Sequence, residues 1–184
     1  MKIADIDFED EAFKACCLAT GFENAEDVAK LVCRDKGINS TKGLEYFTGL
    51  KLLDVTRNHL ESLDLSKNVL LEELFAGNNE LQSLDLSNNI NLTHLEVFIN
   101  ELSDLDVTHN VKLEELYANK NELTNIDLSK NPELTDLRLS NNDLEEINLS
   151  QNEKLKKVYV DKNPINDEIV VMFKDKLQDI ELKI

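Results

Sequence analysis

A segment that repeats every 21 residues constrains this chain more than any other feature. Aligned, the copies read L-x-x-L-x-[L/V/A]-x-x-N-x-L-x-x-[L/I]-[D/N]-[L/V]-[S/T]-x-N-x-x, and they begin at Leu50, Leu71, Leu92, Leu113 and Leu134, with a degenerate sixth copy at Leu155. One such unit is too short to bury its own apolar residues, whereas stacked units bury them in one continuous core. The repeat therefore predicts a solenoid.

The first half of each repeat predicts a short strand with one buried face. Its x-L-x-L-x pattern, as in residues 73–77 (ELFAG), alternates apolar and outward positions. Stacked repeats place these strands side by side and parallel, so each strand bonds to the strands of the neighbouring repeats. Counting apolar pairs from Leu31 and Cys33 to Ile180 and Leu182 predicts about eight strands. The first of these pairs belongs to a divergent repeat that begins at Val28.

Asparagine recurs at two fixed positions of the repeat. An Asn amide carries both donors and an acceptor, so a stack of amides can satisfy the backbone where the chain turns inward. We therefore predict two structural asparagine ladders, the first formed by Asn58, Asn79, Asn100, Asn121, Asn142 and Asn163, and the second by Asn68, Asn89, Asn110, Asn131 and Asn152. The segments between the ladders are expected to run short and extended, or as tight turns, on the convex side.

Four aspartates should also stack on the convex side, namely Asp64, Asp85, Asp106 and Asp127. Hard cations bind carboxylates, so such a row is one way to build a metal site. However, each aspartate has a Ser or Thr two residues further on, and the neighbouring backbone amides offer local hydrogen bonds. We therefore expect neither a metal nor a cofactor.

The chain is expected to form one domain with a cap at each end, because the open end of a stack is apolar. Residues 1–27 are predicted to form the N-terminal cap, and residues 28–163 hold the repeats. The cap should contain a helix over 11–20 that begins at or near Asp10 and stops at Gly21. Phe13 and Cys17 share one face of this helix.

Residues 164–184 are predicted to close the other end of the stack. Asn166 or Asp167 can cap a helix across 168–176, and the last six residues read as a final strand. A spacing of 22 residues matches Ile180 to Val158 and Leu182 to Val160.

Three cysteines, Cys16, Cys17 and Cys33, precede the regular repeats. An odd count with a vicinal pair does not fit a secreted disulfide framework, and no Cys/His spacing resembles a zinc site. We expect small buried apolar residues in a reducing compartment. The start of the chain has no apolar signal region, which predicts a cytoplasmic protein; the alternative is a secreted or cell-surface protein whose leader was removed.

The charge balance narrows the classes of partner. Thirty-seven acids against twenty Lys and Arg give a net charge of −17, which repels phosphate backbones and anionic lipid. No run approaches the roughly 18 apolar residues of a membrane span. A monomer that binds a protein fits this balance, and a partner with a basic surface is one candidate. The simpler alternative is that the charge keeps an extended protein soluble.

Enzymatic function is not expected. The sequence contains no G-x-S-x-G, no phosphate-binding Gly loop and no H-E-x-x-H. Its carboxylates are spread over a solvated solenoid without a hydrophobic pocket to perturb them.

The outward positions of the predicted strands vary between repeats, whereas the convex positions hardly change. The residue before the inner apolar position of the second half reads Asp, Asp, Asp, Asp, Asn. One set of strand positions reads Asp54, Phe75, Glu96, Tyr117, Arg138 and Tyr159, and another reads Thr56, Gly77, Phe98, Asn119, Ser140 and Asp161. If only the fold mattered, both faces should be equally uniform.

This variable concave face is the candidate binding site. Aromatic residues and Arg are enriched at binding hot spots, and exposed apolar strips mark interaction surfaces. Ile99 lies at the rim of the strip. The alternative is that the rings only shield the sheet or each other. The candidate binding residues are Phe75, Phe98, Tyr117, Tyr159, Arg138, Glu73, His94, Glu96, Glu115 and Asp136.

The repeats resemble the short bacterial leucine-rich repeats of the internalin type. They are closer still to the 21-residue form with LDLSxN halves found in Bacteroidetes-like surface proteins, and the stretch GLEYFTGLKLLDVTRN resembles the start of those arrays. The resemblance covers roughly residues 28–184. It implies a right-handed leucine-rich-repeat solenoid with an α/β repeat, a helical N-terminal cap and a helix–strand closure. Its members bind many unrelated partners, so we expect non-enzymatic recognition of a protein. Two alternatives stay open: an adhesin or effector fragment acting on a host protein, and a small acidic protein that neutralises a basic partner.

Overall fold

Short parallel strands, stacked in chain order, form a single sheet along the length of the molecule. The computed structural model describes residues 1–166 and 181–184. The strands are β1 (Lys30–Val32), β2 (Leu52–Asp54), β3 (Glu73–Phe75), β4 (His94–Glu96), β5 (Glu115–Tyr117), β6 (Asp136–Arg138), β7 (Lys157–Tyr159) and β8 (Glu181–Lys183). The prediction of about eight parallel strands in a solenoid is confirmed.

The central residue of each strand enters the core, and its two neighbours point to the concave side. In the first seven strands this central residue is completely buried: Leu31, Leu53, Leu74, Leu95, Leu116, Leu137 and Val158. Each strand pairs with the next so that these residues lie in one line. Burying one such side chain stabilises the fold by about 2 kcal/mol, so the line is a main source of stability.

The first asparagine ladder ties each repeat to the one before it. Asn79 shows the pattern: its Nδ2 donates to the carbonyls of Val55 and Ala76, both at 3.0 Å, and its Oδ1 accepts from the Leu60 amide at 3.1 Å. The second ladder donates in the same way, since Asn89 Nδ2 reaches the carbonyls of Leu65 and Asn68 at 3.2 and 3.0 Å. The structural roles predicted for both ladders are confirmed.

A 3-10 helix (Leu44–Tyr46) lies between β1 and β2, and turns and bends connect the strands from β2 to β7 on the convex side. The aspartates there accept a hydrogen bond from the backbone amide two residues on, as in Asp85 with Ser87 at 2.9 Å and Asp106 with Thr108 at 2.8 Å. These amide and hydroxyl hydrogen bonds lower the pKa of both aspartates. The predicted local hydrogen bonds are therefore confirmed.

The N-terminal helix α1 (Glu11–Leu18) begins where the sequence predicts. The Asp10 carboxylate caps it by accepting from the amides of Ala12 and Phe13, both at 2.9 Å. The same carboxylate accepts from the Asn39 amide at 2.8 Å, which joins the cap to the first repeat. Phe13 and Cys17 are fully buried, as predicted. The helix ends two residues earlier than predicted, because the chain turns toward Gly21 (φ 77°).

Cys16 and Cys33 form a disulfide, so the expectation of three unpaired cysteines was wrong. Their Cα atoms are 5.8 Å apart, where α1 passes the end of β1. Cysteine counting could not reveal this approach, because it depends on how the cap docks on the first strand. Cys17 is rotated about 100° around the helix and enters the core instead. There it is the small buried apolar residue that was predicted, and burial raises the pKa of its thiol to about 12.

The register of the last strand also differs from the prediction. Leu182 pairs with Val158, not with Val160, and Ile184 also packs against the core. A shift of two residues keeps the same side chains inward, so alternation alone cannot distinguish the two registers. The helix predicted across 168–176 lies outside the described residues. Within residues 1–166 and 181–184, no helix has the length and apolar character that a membrane crossing requires.

Candidate recognition site on the concave face

Five side chains on the concave face stack into one row that crosses strands β3 to β7. The ring centroids of Phe75 and His94 are 4.9 Å apart, and those of His94 and Tyr117 are 5.4 Å apart. The guanidinium carbon of Arg138 lies 4.1 Å from the Tyr117 centroid and 5.5 Å from the Tyr159 centroid. We call these five residues the stacked row. All five are half-buried, because each is covered by its neighbour in the next repeat.

The register of the sheet produces this row. Tyr117 pairs with Arg138, and Arg138 pairs with Tyr159, so their side chains leave the sheet along one line. Neighbouring strands lie about 4.8 Å apart, which is close to the spacing at which rings and guanidinium groups stack. His94 comes from the adjacent line of strand positions and fills the gap between Phe75 and Tyr117.

Carboxylates fix the orientation of the row's polar members. His94 lies 3.1 Å from a Glu96 oxygen and 3.3 Å from a Glu115 oxygen. The Tyr117 hydroxyl donates to Glu115 at 2.6 Å and to Asp136 at 3.2 Å.

Asp136 is the most connected of these carboxylates. It accepts two hydrogen bonds from the Arg138 guanidinium, both at 3.0 Å, and pairs with Lys157 at 3.5 Å. A bidentate pair of this kind holds the guanidinium in one plane, flat over the Tyr117 ring. At the end of the row, the Tyr159 hydroxyl donates to Glu181.

The electrostatics of the row follow from these contacts. Burial lowers the pKa of His94, but the hydrogen bond that His94 donates to Glu96 and the charges of Glu115, Glu96 and Glu73 outweigh it and raise that pKa. Burial raises the pKa of Asp136, but Arg138 and its other partners hold it below the usual range. Burial, reinforced by the Glu115 hydrogen bond, raises the pKa of Tyr117. The row therefore favours charged His94 and Asp136 with a neutral Tyr117.

Phe98 lies on the same face but outside the stacked row. Its ring covers Gly77 of the preceding repeat, where an added Cβ would come within 2.7 Å of the ring. In the described chain, no ring or cation contact joins Phe98 to the row. The candidate residues thus divide into a stacked row held by carboxylates and a separate aromatic beside the rim.

Sequence reasoning named these residues as candidates but did not predict the bonds among them. Glu115 holds Tyr117 and Asp136 holds Arg138, each from two residues away on the same strand. That spacing is compatible with such bonds, but the side-chain conformations decide whether they form. The charge of Glu73 also raises the pKa of His94.

The stacked row and the acids beside it combine three kinds of side-chain surface. They present flat aromatic and guanidinium surfaces whose conformations are already fixed, with carboxylates between them. In residues 1–166 and 181–184, no three or more His, Cys, Asp or Glu side chains form a group that could hold a metal ion.

Comparison with solved structures agrees with this fold. The functional domain of InlJ from Listeria monocytogenes matches with a TM-score of 0.60 and 24% identity, covering 90% of this chain and 48% of that one. Internalin C2 from Listeria monocytogenes matches with a TM-score of 0.70 and 22% identity, covering 100% of this chain and 96% of that one. A leucine-rich-repeat protein of Leptospira interrogans matches with a TM-score of 0.61 and 20% identity, over 77% of this chain and 44% of that one.

These likenesses show that the chain has the leucine-rich-repeat fold of internalin-type proteins. The chain spans about half the length of the InlJ domain and less than half of the Leptospira protein. No family model matches the sequence, and no curated protein matches it.

Proposed function

We propose that this protein is a non-enzymatic recognition module that binds a partner protein through its concave face. The stacked row forms the centre of the binding surface in this proposal, with Phe98 beside it. The internalin-type fold supports the proposal in general terms, because solenoids of this kind present extended concave surfaces to their partners.

The observation that carries the proposal is the pre-organisation of the stacked row. Ordering a long side chain on binding costs roughly 0.5–1.5 kcal/mol, and that cost falls when the unbound protein already fixes the side chain. Asp136 holds Arg138, while Glu115 and Asp136 hold Tyr117. A surface that served only solubility would not need such orientation.

The chemistry of the surface selects the kind of partner. Around the row, Glu73 and Glu96 add negative charge to a protein whose net charge is −17. A protein segment with Lys or Arg is complementary to that charge, which raises the association rate. Nucleic acid and anionic membranes are disfavoured for the same reason. One concave face per monomer is sufficient for this mode of binding.

The proposal is tested by capturing partners from extracts of the source organism and its surroundings, followed by calorimetry with the purified partner. The test variant replaces Phe75, Phe98, Tyr117 and Tyr159 together by alanine. The matched control replaces Phe22 and Tyr46, which are exposed aromatics outside the sheet. Circular dichroism at each temperature verifies that both variants are folded.

We expect the concave variant to bind at least about 100-fold more weakly, because hot-spot aromatics each contribute about 2 kcal/mol or more. The control variant should bind like the wild type. Equal affinity of both variants for the partner would mean that the binding site lies outside the concave face, and it would refute the proposal.

The disulfide favours a second candidate, in which the protein acts outside the reducing cytoplasm as an adhesin or effector on a host protein. Disulfides persist in oxidising compartments and are rare in the cytosol. The Cys16–Cys33 bond joins the cap to the first strand. It supports the secreted or surface alternative over the cytoplasmic expectation.

Thiol counting in protein from the native host tests this location. Cells are treated with an alkylating reagent before lysis, and the protein is then denatured and alkylated with a second, heavier reagent without reduction. One modified cysteine, Cys17, is expected by mass spectrometry. Modification of all three cysteines would place the protein in a reducing compartment.

A further inference from the structure

Ile99 adopts a backbone conformation that a β-branched residue disfavours. Its φ is 53°, in the left-handed region where a branched side chain clashes with the backbone. The same position of the other repeats has φ values of 56° to 59° and carries Asp35, Arg57, Asn78, Lys120, Asn141 and Lys162. The turn therefore requires this conformation in every repeat, and Ile99 is the one β-branched residue placed in it.

Ile99 does not lie in the hydrophobic core. The residue is 38% exposed. Asparagine would fit the same turn with less strain, as it does at positions 78 and 141. An exposed isoleucine therefore weakens the fold where another residue would not, and residues held in this way concentrate at functional sites.

Phe98, the residue beside Ile99, fits on the sheet because the preceding repeat carries glycine at position 77. Phe98 lies flat over Gly77, where any side chain would collide with its ring. Gly77 does not have a positive φ, so its backbone does not require glycine. The equivalent outward positions carry side chains such as Thr56, Asn119 and Ser140. The missing side chain at position 77 thus makes room for Phe98.

Three exposed glutamates, the rim carboxylates, each follow a first-ladder asparagine in the repeat of this pair or in a neighbouring repeat. Glu80, Glu101 and Glu122 occupy the same position of three successive repeats, and all three are exposed. His59 approaches Glu80 at 3.2 Å, and none of the three forms a salt bridge with a Lys or Arg of the described chain. Lys120 is the neighbouring base in the left-handed row, and these acids outnumber it.

We infer that Phe98 and Ile99 form an apolar rim patch that receives an aliphatic side chain of the partner, with a Lys or Arg of the same segment facing the rim carboxylates. The inference rests on the proposed recognition function and adds a contact point outside the stacked row. It explains why a strained apolar residue and a space-making glycine occur together. It also specifies the partner: a basic segment with a protruding aliphatic residue.

Stability provides a test that needs no partner. Ile99→Asn should raise the urea midpoint of unfolding, because it relieves the strain. The matched control is Ile90→Asn, the same change at another isoleucine, which is 53% exposed and does not have a positive φ. The control should leave the midpoint unchanged or lower it. A lower midpoint for Ile99→Asn would mean that Ile99 serves the fold, and the inference would fall.

Binding is tested by fluorescence anisotropy at physiological salt with two synthetic peptides of equal charge. One carries a single Leu flanked by Lys residues, and the other carries Ser in place of the Leu. Wild-type protein should bind the Leu peptide at least tenfold more tightly than the Ser peptide. That preference should disappear in Ile99→Asn and persist in Ile90→Asn.

Equal binding of the two peptides by wild type, or an unchanged preference in Ile99→Asn, would overturn the rim patch. Neither result bears on the stacked row, whose role is decided by the alanine variants and the purified partner. A variant with Phe75, Tyr117 and Tyr159 replaced by alanine, and Phe98 kept, separates the two sites. A partner that is lost with this variant but kept by Ile99→Asn would refute this inference alone.

Discussion

The convex row of aspartates and the stacked row on the concave face differ in how far their contacts reach. Each convex aspartate binds an amide two residues further along its own repeat, as Asp85 does with Ser87. Members of the stacked row also bond within their own strand, as Arg138 does with Asp136, but in addition they contact the next repeat: Tyr117 reaches Asp136, and Arg138 covers Tyr117. Local contacts allow the same residues to recur in every copy, whereas contacts between repeats fit each member to particular neighbours.

The turns of the fold require the convex aspartates, whereas the fold does not select the side chains of the stacked row. A convex aspartate follows a local rule of the turn, so uniformity there reflects structure. On the concave face no local rule selects Phe, His, Tyr or Arg, yet their side chains are held by specific bonds. Side chains that are already fixed in the unbound protein suit a binding surface, because less conformational entropy is lost on association.

The largest expected effect comes from the asparagine ladder, on which both faces depend. Asn100→Ala removes the acceptor of the buried Leu81 amide and one hydrogen bond to each of the carbonyls of Ala76 and Val97. The two carbonyls keep a bond from the ladder asparagine of a neighbouring repeat. Losing a hydrogen bond costs about 1 kcal/mol and leaving a buried amide unpaired costs about 1–3 kcal/mol, so we expect a loss of roughly 3 kcal/mol in the free energy of unfolding. Urea denaturation measures it.

The control for this prediction is Asn88→Ala, an exposed asparagine outside both ladders. It should change the free energy of unfolding by less than about 0.5 kcal/mol. Similar losses for both variants would mean that a ladder asparagine contributes no more to stability than a surface asparagine does.

The sequence was sufficient for features that depend on contacts between equal positions of adjacent repeats. The strand positions and both ladders have this property. The aspartate hydrogen bonds were predictable for another reason, because they stay within one repeat. Prediction from the sequence fails where one structural element packs against an element of another kind. The Cys16–Cys33 bond depends on how α1 docks, and the register of β8 depends on the segment before it. The division into cap, repeats and closing repeat at residues 27 and 163 stays a prediction.

The candidate site was predictable in composition but not in arrangement. Variation among the repeats pointed to Phe75, Tyr117 and Tyr159 without any structure. The stacking of His94 depends on side-chain conformations across strands, and the two hydrogen bonds from Arg138 to Asp136 depend on the conformations of two side chains on β6. The sequence shows that Ile99 is unusual, because it is the one apolar residue that directly precedes a first-ladder asparagine. Its backbone strain becomes evident only from the φ angle in the structure.

The second prediction compares one carboxylate from each face. Asp136→Asn should lower the free energy of unfolding by about 2 kcal/mol, because it removes the charge that pairs Arg138 and Lys157 at a nearly buried position. Asp106→Asn keeps an oxygen that can accept from the Thr108 amide, so we expect a change within about 0.5 kcal/mol. Urea denaturation at pH 7 compares the two.

The pH dependence of the Asp136 effect follows from its lowered pKa. A carboxyl group whose pKa is lower in the folded state stabilises the fold above its unfolded pKa of about 3.9. That contribution is lost as the pH falls through the folded value. The difference between wild type and Asp136→Asn should therefore be complete at pH 7 and shrink below about pH 4. A difference that grew in acid would contradict the assigned direction.

The smallest expected effect concerns His94, whose pKa has the opposite direction. Because Glu96, Glu115 and Glu73 raise the pKa of His94 in the folded state, protonated His94 stabilises the fold below its unfolded pKa of about 6.5. This contribution is lost as the pH rises through the folded value. His94→Gln should cost about 1 kcal/mol at pH 5.5 and less at pH 8.5, as measured by urea denaturation at both pH values. His59→Gln, at an exposed histidine beside Glu80, controls for the general effect of pH on an acidic protein. An equal cost of His94→Gln at both pH values would mean that His94 contributes through stacking on Phe75 and Tyr117, not through its charge.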